Sequence, residues 1–185
     1  MTNYSKTINL PKTNFSMKAN LSEKETQWLE FWHKNKIYDK LKKKNKKNIK
    51  YVLHDGPPYA NGDLHLGHAL NKILKDVICR FKFQSAMNVE YVPGWDCHGL
   101  PIEWKVEEQF RKSGKKKSEV NLQTFREECR QFAKKWVNIQ RDQFNRFGIQ
   151  TDWEDIYLTM NKNSEVTIVS ELSLIHISEP TRLTS

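Results

Sequence analysis

Two histidines and one aspartate are the residues of this sequence whose spacing could do chemistry. His65 and His68 are three positions apart, so on a helix both rings can face a single anion. Asp96 lies in a second Gly/Pro-rich stretch, where its carboxylate could hold a cationic group. These side chains predict a site for an anion and for a cationic ligand group.

A strand, a turn-rich loop and a helix surround the histidines in that order. Lys50–Leu53 forms the predicted strand, and the turn formers of Gly56–Gly62 let the chain reverse tightly. A helix then begins near His65, and phosphate favours such a helix N-terminus because its N–H groups are unpaired. Gly67 has no side chain, so a flat ring such as adenine could approach the backbone there. Helical spacing predicts that one face packs on the sheet: Leu66, Ala69, Leu70, Ile73, Val77 and Phe81.

The second Gly/Pro-rich stretch follows another short strand, predicted at Val89–Val92. The two strands and the helix form a β-α-β unit, whose crossover is right-handed. Asp96 should therefore face the same crevice as Pro57 and His68. A turn-forming aspartate that bonds its own backbone is equally compatible with this sequence.

Other roles for these polar residues remain open at this point. The histidine pair could be half of a metal site, but zinc takes three or four ligands, and the adjacent Cys97 and His98 have diverging side chains. The pair could also be surface residues near a helix cap. Cys97 beside His98 could indicate a nucleophile, although a buried thiol is the expected state. No metal site is predicted.

The composition indicates a basic protein with reduced thiols. Its 31 lysines and arginines against 22 acidic residues give a net charge of +9, enough to attract a polyanion. Lysines are clustered within residues 40–50 and in a second cluster. Such runs are more typical of solvated loops than of direct contacts with the phosphates of a polyanion. The second cluster comprises Lys112, Lys115, Lys116 and Lys117. The three cysteines form no C-x-x-C pair, which favours a cytosol-like compartment. No apolar run is long enough to span a membrane, and the start lacks a secretory apolar core.

Helices are predicted on both sides of the nucleotide unit. Asn20–Lys44 has Asn20 or Ser22 as capping options, and it carries an apolar stripe expected to pack in the core. The stripe consists of Trp28, Phe31 and Trp32. A longer helix over Leu122–Phe147 ends at Gly148.

Several motifs together resemble the N-terminal part of class I aminoacyl-tRNA synthetases, most closely the bacterial or organellar isoleucyl type. The matching segments are Leu10–Thr13, Met17–Asn20, His54–Gly62, His65–His68, Asn71–Asp76, Pro93–Glu103 and Asp152–Trp153. The resemblance extends to Leu172. The Trp95–Glu103 run separates isoleucyl from leucyl and valyl relatives. Leu66 replaces the isoleucine of the family signature, which is a conservative apolar change.

The resemblance implies an α/β fold, namely the first half of a Rossmann-like class I synthetase nucleotide-binding domain with an N-terminal helical extension. The expected divisions are an extension and helix over 1–48 and the half-domain over 49–172. Residues 1–16 are expected to be loosely ordered. Residues 173–185 resemble translated adapter or vector sequence, so a non-native tail is predicted there, with a divergent natural terminus as the alternative. The second half of the fold, with its Lys-Met-Ser-Lys-Ser loop, would belong to a longer parent.

The resemblance also implies a role for each candidate residue. His65 and His68 would contact ATP phosphates and act in catalysis, Gly67 would lie against adenine, and Asn61 would complete the ATP site. For isoleucine, the binding residues would be Gly56, Pro57 and Asp96, with Asp96 on the α-amino group.

The implied reaction is attack of the isoleucine carboxylate on the α-phosphorus of ATP, which gives isoleucyl-adenylate and pyrophosphate. Mg²⁺ would enter with ATP, and tRNA(Ile) would receive the amino acid. The parent is expected to be a cytoplasmic or organellar monomer without membrane contact, and the short chain alone is expected to be inactive. Two alternatives are another nucleotidyltransferase with a His-x-Gly-His helix and a basic RNA-binding fragment without catalysis.

Overall fold

The computed structural model describes residues 7–8, 18–114 and 117–178 of the 185-residue chain. Apart from residues 7 and 8, the predicted loosely ordered start over residues 1–16 lies outside this range. Lys115 and Lys116 of the second lysine cluster also lie outside it.

A parallel β-α-β unit organises the site. Strand β1 (Lys50–His54) pairs with strand β2 (Asn88–Val92), and helix α3 (Leu66–Gln84) connects them. The register places Lys50 opposite Asn88 and His54 opposite Val92, so both strands end at the same edge. The predicted strands and their parallel connection are confirmed.

A second, shorter parallel pair continues from the end of β2. Strand β3 (Gly94–Trp95) pairs with strand β4 (Tyr157–Leu158). A side chain at Gly94 would come within 3.0–3.2 Å of Tyr157, so glycine allows the close approach of the two backbones. Trp95 is fully buried, and its ring centroid lies 6.2 Å from that of Phe144 and 6.4 Å from that of Trp153.

Three helices follow in the C-terminal part of the chain, and the first two contribute buried residues to the core. They are α4 (Leu100–Lys112), α5 (Leu122–Arg146) and α6 (Lys162–Ser178), with a short 3₁₀ turn at Lys117–Glu119. Helix α5 is capped by Asn121, whose side chain accepts the Gln123 N–H, and it ends before Gly148 at φ 77°. The predicted long helix is confirmed. Its buried residues are Phe125, Ala133, Val137, Gln140 and Phe144.

The N-terminal helix is divided in two, so the single helix predicted over Asn20–Lys44 is wrong. Helix α1 (Leu21–Lys34) and helix α2 (Ile37–Asn45) are separated by Lys36 in the left-handed conformation at φ 50°. The side-chain amide of Asn35 donates to the Phe31 carbonyl at 2.8 Å, in addition to the Asn35 backbone N–H at 3.0 Å.

Of two further expectations for this region, one is confirmed only in part and one is wrong. Asn20, one of the two capping options, is the N-cap residue of α1, but at φ 44° its side chain makes no capping hydrogen bond, and Ser22 lies within the first turn. The stripe is not core: Trp28 is 48% exposed and Phe31 57% exposed, and α1 has no buried residue. Of the three stripe residues, only Trp32 is half-buried. The Arg80 guanidinium lies 5.0 Å from its ring centroid.

Helix α3 buries a different face from the one that its apolar spacing predicts. Five residues of the predicted face are exposed by 44–84%: Leu66, Leu70, Ile73, Val77 and Phe81. The buried positions are Lys72, Asp76, Cys79 and Phe83. Lys72 pairs with Asp55, and Asp76 accepts from Arg80 and from the Gln150 N–H. Arg80 on the same helix and two partners distant in sequence, Asp55 and the Gln150 N–H, satisfy these charges, so the polar face can be buried.

Helix α6 continues through residue 172, which is the predicted boundary between the half-domain and the non-native tail. Its apolar residues are exposed, with Val166 at 63% and Val169 at 66%. Residues 179–185 lie outside the described residues, so the predicted tail stays a prediction. Within the described residues, no helix is long and apolar enough to cross a membrane.

Candidate active site

His65 and His68 form the N-terminal cap of helix α3. His65 is the N-cap residue, and its Nδ1 accepts the Gly67 N–H at 3.1 Å. Nδ1 of His68 accepts the His65 N–H at 3.3 Å, and the ring centroids are 3.9 Å apart. This reciprocal arrangement is a capping box in which both side chains are histidines.

The capping box decides which nitrogen of each ring can contact a ligand. Because each Nδ1 accepts a backbone N–H, a neutral ring must carry its proton on Nε2. Burial, and then the neighbouring His65, lower the pKa of His68, which favours the neutral ring at pH 7. Both histidines can therefore offer Nε2–H donors to an anion. The cap role and the anion role, which seemed to compete in the sequence, are compatible.

Gly67 is required by the cap itself. A Cβ at this position would lie 2.9 Å from Cε1 and 3.0 Å from Nδ1 of the His65 ring. The cap also occupies the Gly67 N–H, which the sequence predicted to be unpaired. The predicted adenine contact at Gly67 stays a prediction.

Asp96 lies directly against the loop that leads from β1 to the histidines. Its N–H donates to the Pro58 carbonyl at 2.8 Å, and its carbonyl accepts the Ala60 N–H at 3.0 Å. Its Oδ1 accepts the His98 N–H at 3.3 Å and faces the Thr159 hydroxyl at 3.3 Å. The carboxylate thus makes the local turn contact, and the residue is paired with the loop that contains Pro57. That Asp96 faces the same crevice as His68 stays a prediction.

A buried carboxylate fixes helix α3 to the end of β1. Asp55 is 2% exposed, and its two oxygens contact Lys72 and Lys75 of α3, the second at 2.6 Å. Burial, and then the charge of Lys75, lower the pKa of Lys72, and burial lowers that of Lys75. The ion triad links α3 to the residue that precedes Gly56 and Pro57.

The remaining polar candidates do not form a second reactive centre. Cys97 is 3% exposed, and burial raises the pKa of its thiol to about 11, so it stays protonated at neutral pH. His98 is exposed, with its Nε2 3.3 Å from Glu165. Within the described residues, no group of three or more His, Cys, Asp or Glu side chains could hold a metal ion.

The predicted ligand residues line an open surface. Gly56 and Pro57 are exposed, Asn61 is half-buried, and a Cβ on Gly56 would meet no atom within 4 Å. A cavity of about 510 Å³ lies elsewhere, between α4 and α5 beside His98 and Glu103. Gly56 and Pro57 are therefore accessible from solvent rather than enclosed in a cavity.

Comparison with known proteins decides the family. The family described as tRNA synthetases class I (I, L, M and V) matches residues 27–178, most of the chain. The chain belongs to the class I tRNA synthetases.

The similar relatives of this synthetase segment are isoleucine–tRNA ligases. The chain is 57% identical over 165 residues to that of Pelagibacter ubique, covering 89% of this chain and 18% of the relative. It is 55% identical to the ligase of Ruegeria pomeroyi, and the match covers 91% of this chain and 17% of that relative. The chain thus spans about a fifth of the length of these relatives.

A solved synthetase supports the fold. The chain resembles Agrobacterium radiobacter K84 agnB2 LeuRS, in its ternary complex with tRNA and LeuAMS, with a TM-score of 0.62. The two are 18% identical, and the match covers 87% of this chain and 18% of that one. The predicted α/β class, as half of a Rossmann-like synthetase domain, is confirmed.

A residue that sequence reasoning missed holds both motifs of the synthetase segment together. Gln140 of α5 is 1% exposed, and its Nε2 donates to the carbonyls of Tyr59 at 3.0 Å and Gly62 at 2.7 Å. Its Oε1 accepts the Trp95 Nε1–H at 2.8 Å. A glutamine four residues before Phe144, on the apolar side of a long helix, is the signal that could have identified it.

Proposed function

We propose that this segment forms the ATP- and isoleucine-binding part of an isoleucine–tRNA ligase. The observation that carries the proposal is the direct backbone pairing of Asp96 with Pro58 and Ala60. This loop runs into the capping box of His65 and His68, so one loop connects the position of Asp96 with two histidines that can offer N–H donors. The names of the relatives at 52–57% identity support isoleucine as the amino acid.

The proposed chemistry needs positioning and charge stabilisation rather than a base. The isoleucine carboxylate is already ionised, and its attack on the α-phosphorus of ATP releases pyrophosphate. Negative charge builds on the phosphate oxygens, and the Nε2–H groups of His65 and His68 would stabilise it from fixed positions. Mg²⁺ would arrive bound to ATP and supply further charge neutralisation.

The proposal also assigns the remaining ligand contacts to residues of this region. Asn61 and Gly67 would contact ATP, the latter beneath adenine. Gly56 and Pro57 would contact the isoleucine side chain, and Asp96 its ammonium. Transfer of the activated amino acid to tRNA(Ile) and action as a monomer in the cytoplasm, or in an organelle, belong to the proposal for the longer parent.

Asp96→Asn tests the amino-acid site in a restored enzyme. In this restored enzyme, residues 1–172 of the chain replace the matching segment of the Pelagibacter ubique relative. The substitution should raise the KM for isoleucine in pyrophosphate exchange by about 30-fold, roughly 2 kcal/mol, because the ammonium loses its charged partner. The KM for ATP should change less than about twofold.

Asp142→Asn is the matched control, since it removes the same charge from an exposed position on α5. It should leave both KM values unchanged. An unchanged KM for isoleucine in Asp96→Asn would remove the ammonium assignment. A restored enzyme without any isoleucine-dependent exchange would count against the proposed function as a whole.

A further inference from the structure

Thr159 lies beside Asp96 because of the short β3–β4 pairing. Trp95 is opposite Leu158 in the parallel register, and the Thr159 N–H donates to the Trp95 carbonyl at 3.2 Å. The residue that follows β4 is therefore next to the residue that follows β3. No property of the sequence around Thr159 indicates this neighbour.

The Thr159 hydroxyl connects the backbone and the side chain of the Asp96 turn. Its Oγ1 accepts the Cys97 N–H at 2.8 Å, which leaves its single proton for Asp96 Oδ1 at 3.3 Å. Cys97 is buried, so the hydroxyl also satisfies an N–H that water does not reach freely. The hydroxyl orientation is fixed by the bond that it accepts.

The Asp96 carboxylate is consequently held at one oxygen and free at the other. Oδ1 faces two donors, the His98 N–H and the Thr159 hydroxyl, both at 3.3 Å. Among the described residues, Oδ2 has no hydrogen-bond partner. Backbone bonds to Pro58 and Ala60 fix the position of the residue as a whole. Oδ2 is thus a preorganised acceptor without a hydrogen-bond donor from the part of the chain that the structure describes.

Local turn chemistry explains only part of this arrangement. The His98 N–H is two residues away and forms the usual contact of an aspartate turn. Thr159 is 63 residues away, so its contact depends on the tertiary fold. A carboxylate that served the turn alone would need no such second donor.

We infer that Thr159 is a positioning residue that orients the Asp96 carboxylate toward the substrate ammonium. This inference rests on the proposed function of Asp96. The hydroxyl does not touch the substrate; it holds Oδ1 so that Oδ2 meets the ammonium without losing side-chain freedom on binding. Its contribution should therefore be specific to the amino acid and absent from ATP binding.

Thr159→Val in the restored enzyme tests this inference, since valine keeps the shape and removes the hydroxyl. The KM for isoleucine in pyrophosphate exchange should rise about tenfold, in line with loss of a hydrogen bond to a charged group. The KM for ATP and kcat should stay within about twofold. Inhibition by isoleucinol, which keeps the ammonium and lacks the carboxylate, should weaken by the same factor. Thr159→Ser keeps the hydroxyl and should retain the original KM.

Thr151→Val is the matched structural control. Thr151 is 6% exposed, and its hydroxyl donates to the Tyr91 carbonyl at 2.6 Å, so the variant loses a buried threonine bond away from Asp96. It should lower thermal stability without changing the KM for isoleucine.

Two results would overturn the inference. One is an unchanged KM in Thr159→Val while Asp96→Asn remains defective; the other is a Thr159→Ser variant as defective as Thr159→Val. A normal KM in Asp96→Asn would instead contradict the proposed amino-acid site, which keeps the two failures distinguishable. If Thr159→Val does not fold, Thr159→Ala, which also lacks the hydroxyl, decides its role through the same KM and isoleucinol measurements.

Discussion

Replacing His68 with alanine in the restored enzyme should lower kcat for pyrophosphate exchange by about a hundredfold or more, roughly 3 kcal/mol of transition-state stabilisation. The capping box leaves Nε2–H of His68 as a donor fixed in place before ATP binds. Such a donor stabilises the charge that develops on the phosphate oxygens more than the charge of the ground state. The KM for isoleucine should change little.

A second substitution separates the donor from the cap. His68→Glu keeps a side-chain acceptor for the His65 N–H, as in an ordinary capping box, but it brings negative charge toward the phosphates. The rate should fall at least as far as in His68→Ala while thermal stability is retained. His33→Ala, at an exposed position near the end of α1, is the control and should leave kcat unchanged.

The opposite pattern would identify the histidine as purely structural. Substantial activity in His68→Glu would show that the cap, and not the Nε2–H donor, is what the site needs. A loss confined to the KM for isoleucine would also contradict the phosphate role.

The sequence predicted the β-α-β unit because its signals are local. The strand at Lys50–His54 and the turn formers after it are contiguous, and the order of strand, helix and strand determines the parallel connection. The placement of Asp96 beside the first loop follows from the same rule, and the backbone bonds to Pro58 and Ala60 agree with it.

The parts that could not be predicted depend on partners far along the chain. Burial of Lys72 requires the carboxylate of Asp55, and burial of Asp76 requires the Gln150 N–H 74 residues later. Periodicity identifies an apolar face but does not show whether a neighbouring element covers it. Gln140 was missed for a related reason, because only the fold shows that three polar groups converge on its amide.

The break between α1 and α2 illustrates a different limit. Lys36 adopts φ 50° although lysine has no preference for that conformation. No glycine or proline marks the position, so helix propensity predicts continuity there. The neighbouring Asn35 was the only local signal, since asparagine readily bonds a carbonyl at the end of a helix.

The second large expected effect concerns the isolated chain of 185 residues, which should show no isoleucine-dependent pyrophosphate exchange. Its helix α3 exposes a continuous apolar face, on which Leu70 is 61% and Val77 56% exposed. Among the described residues, β1 pairs only with β2, and Val52 on it is 51% exposed. A doubly wound sheet normally covers such faces and edges with further elements.

An apolar surface of this kind should make the isolated chain bind hydrophobic dye and unfold without a sharp cooperative transition. Leu70→Glu together with Val77→Glu supplies the control, because both positions lie on the exposed face of α3. The double variant should lower dye binding by the isolated chain, yet inactivate the restored enzyme, in which this face is expected to be covered. Calorimetry measures the unfolding transition, dye fluorescence measures dye binding, and the exchange assay measures activity. A monomer with a cooperative transition and measurable adenylate formation would instead show that residues 1–185 complete an active site without further elements, because the apolar face and the free edge of β1 would then need no cover.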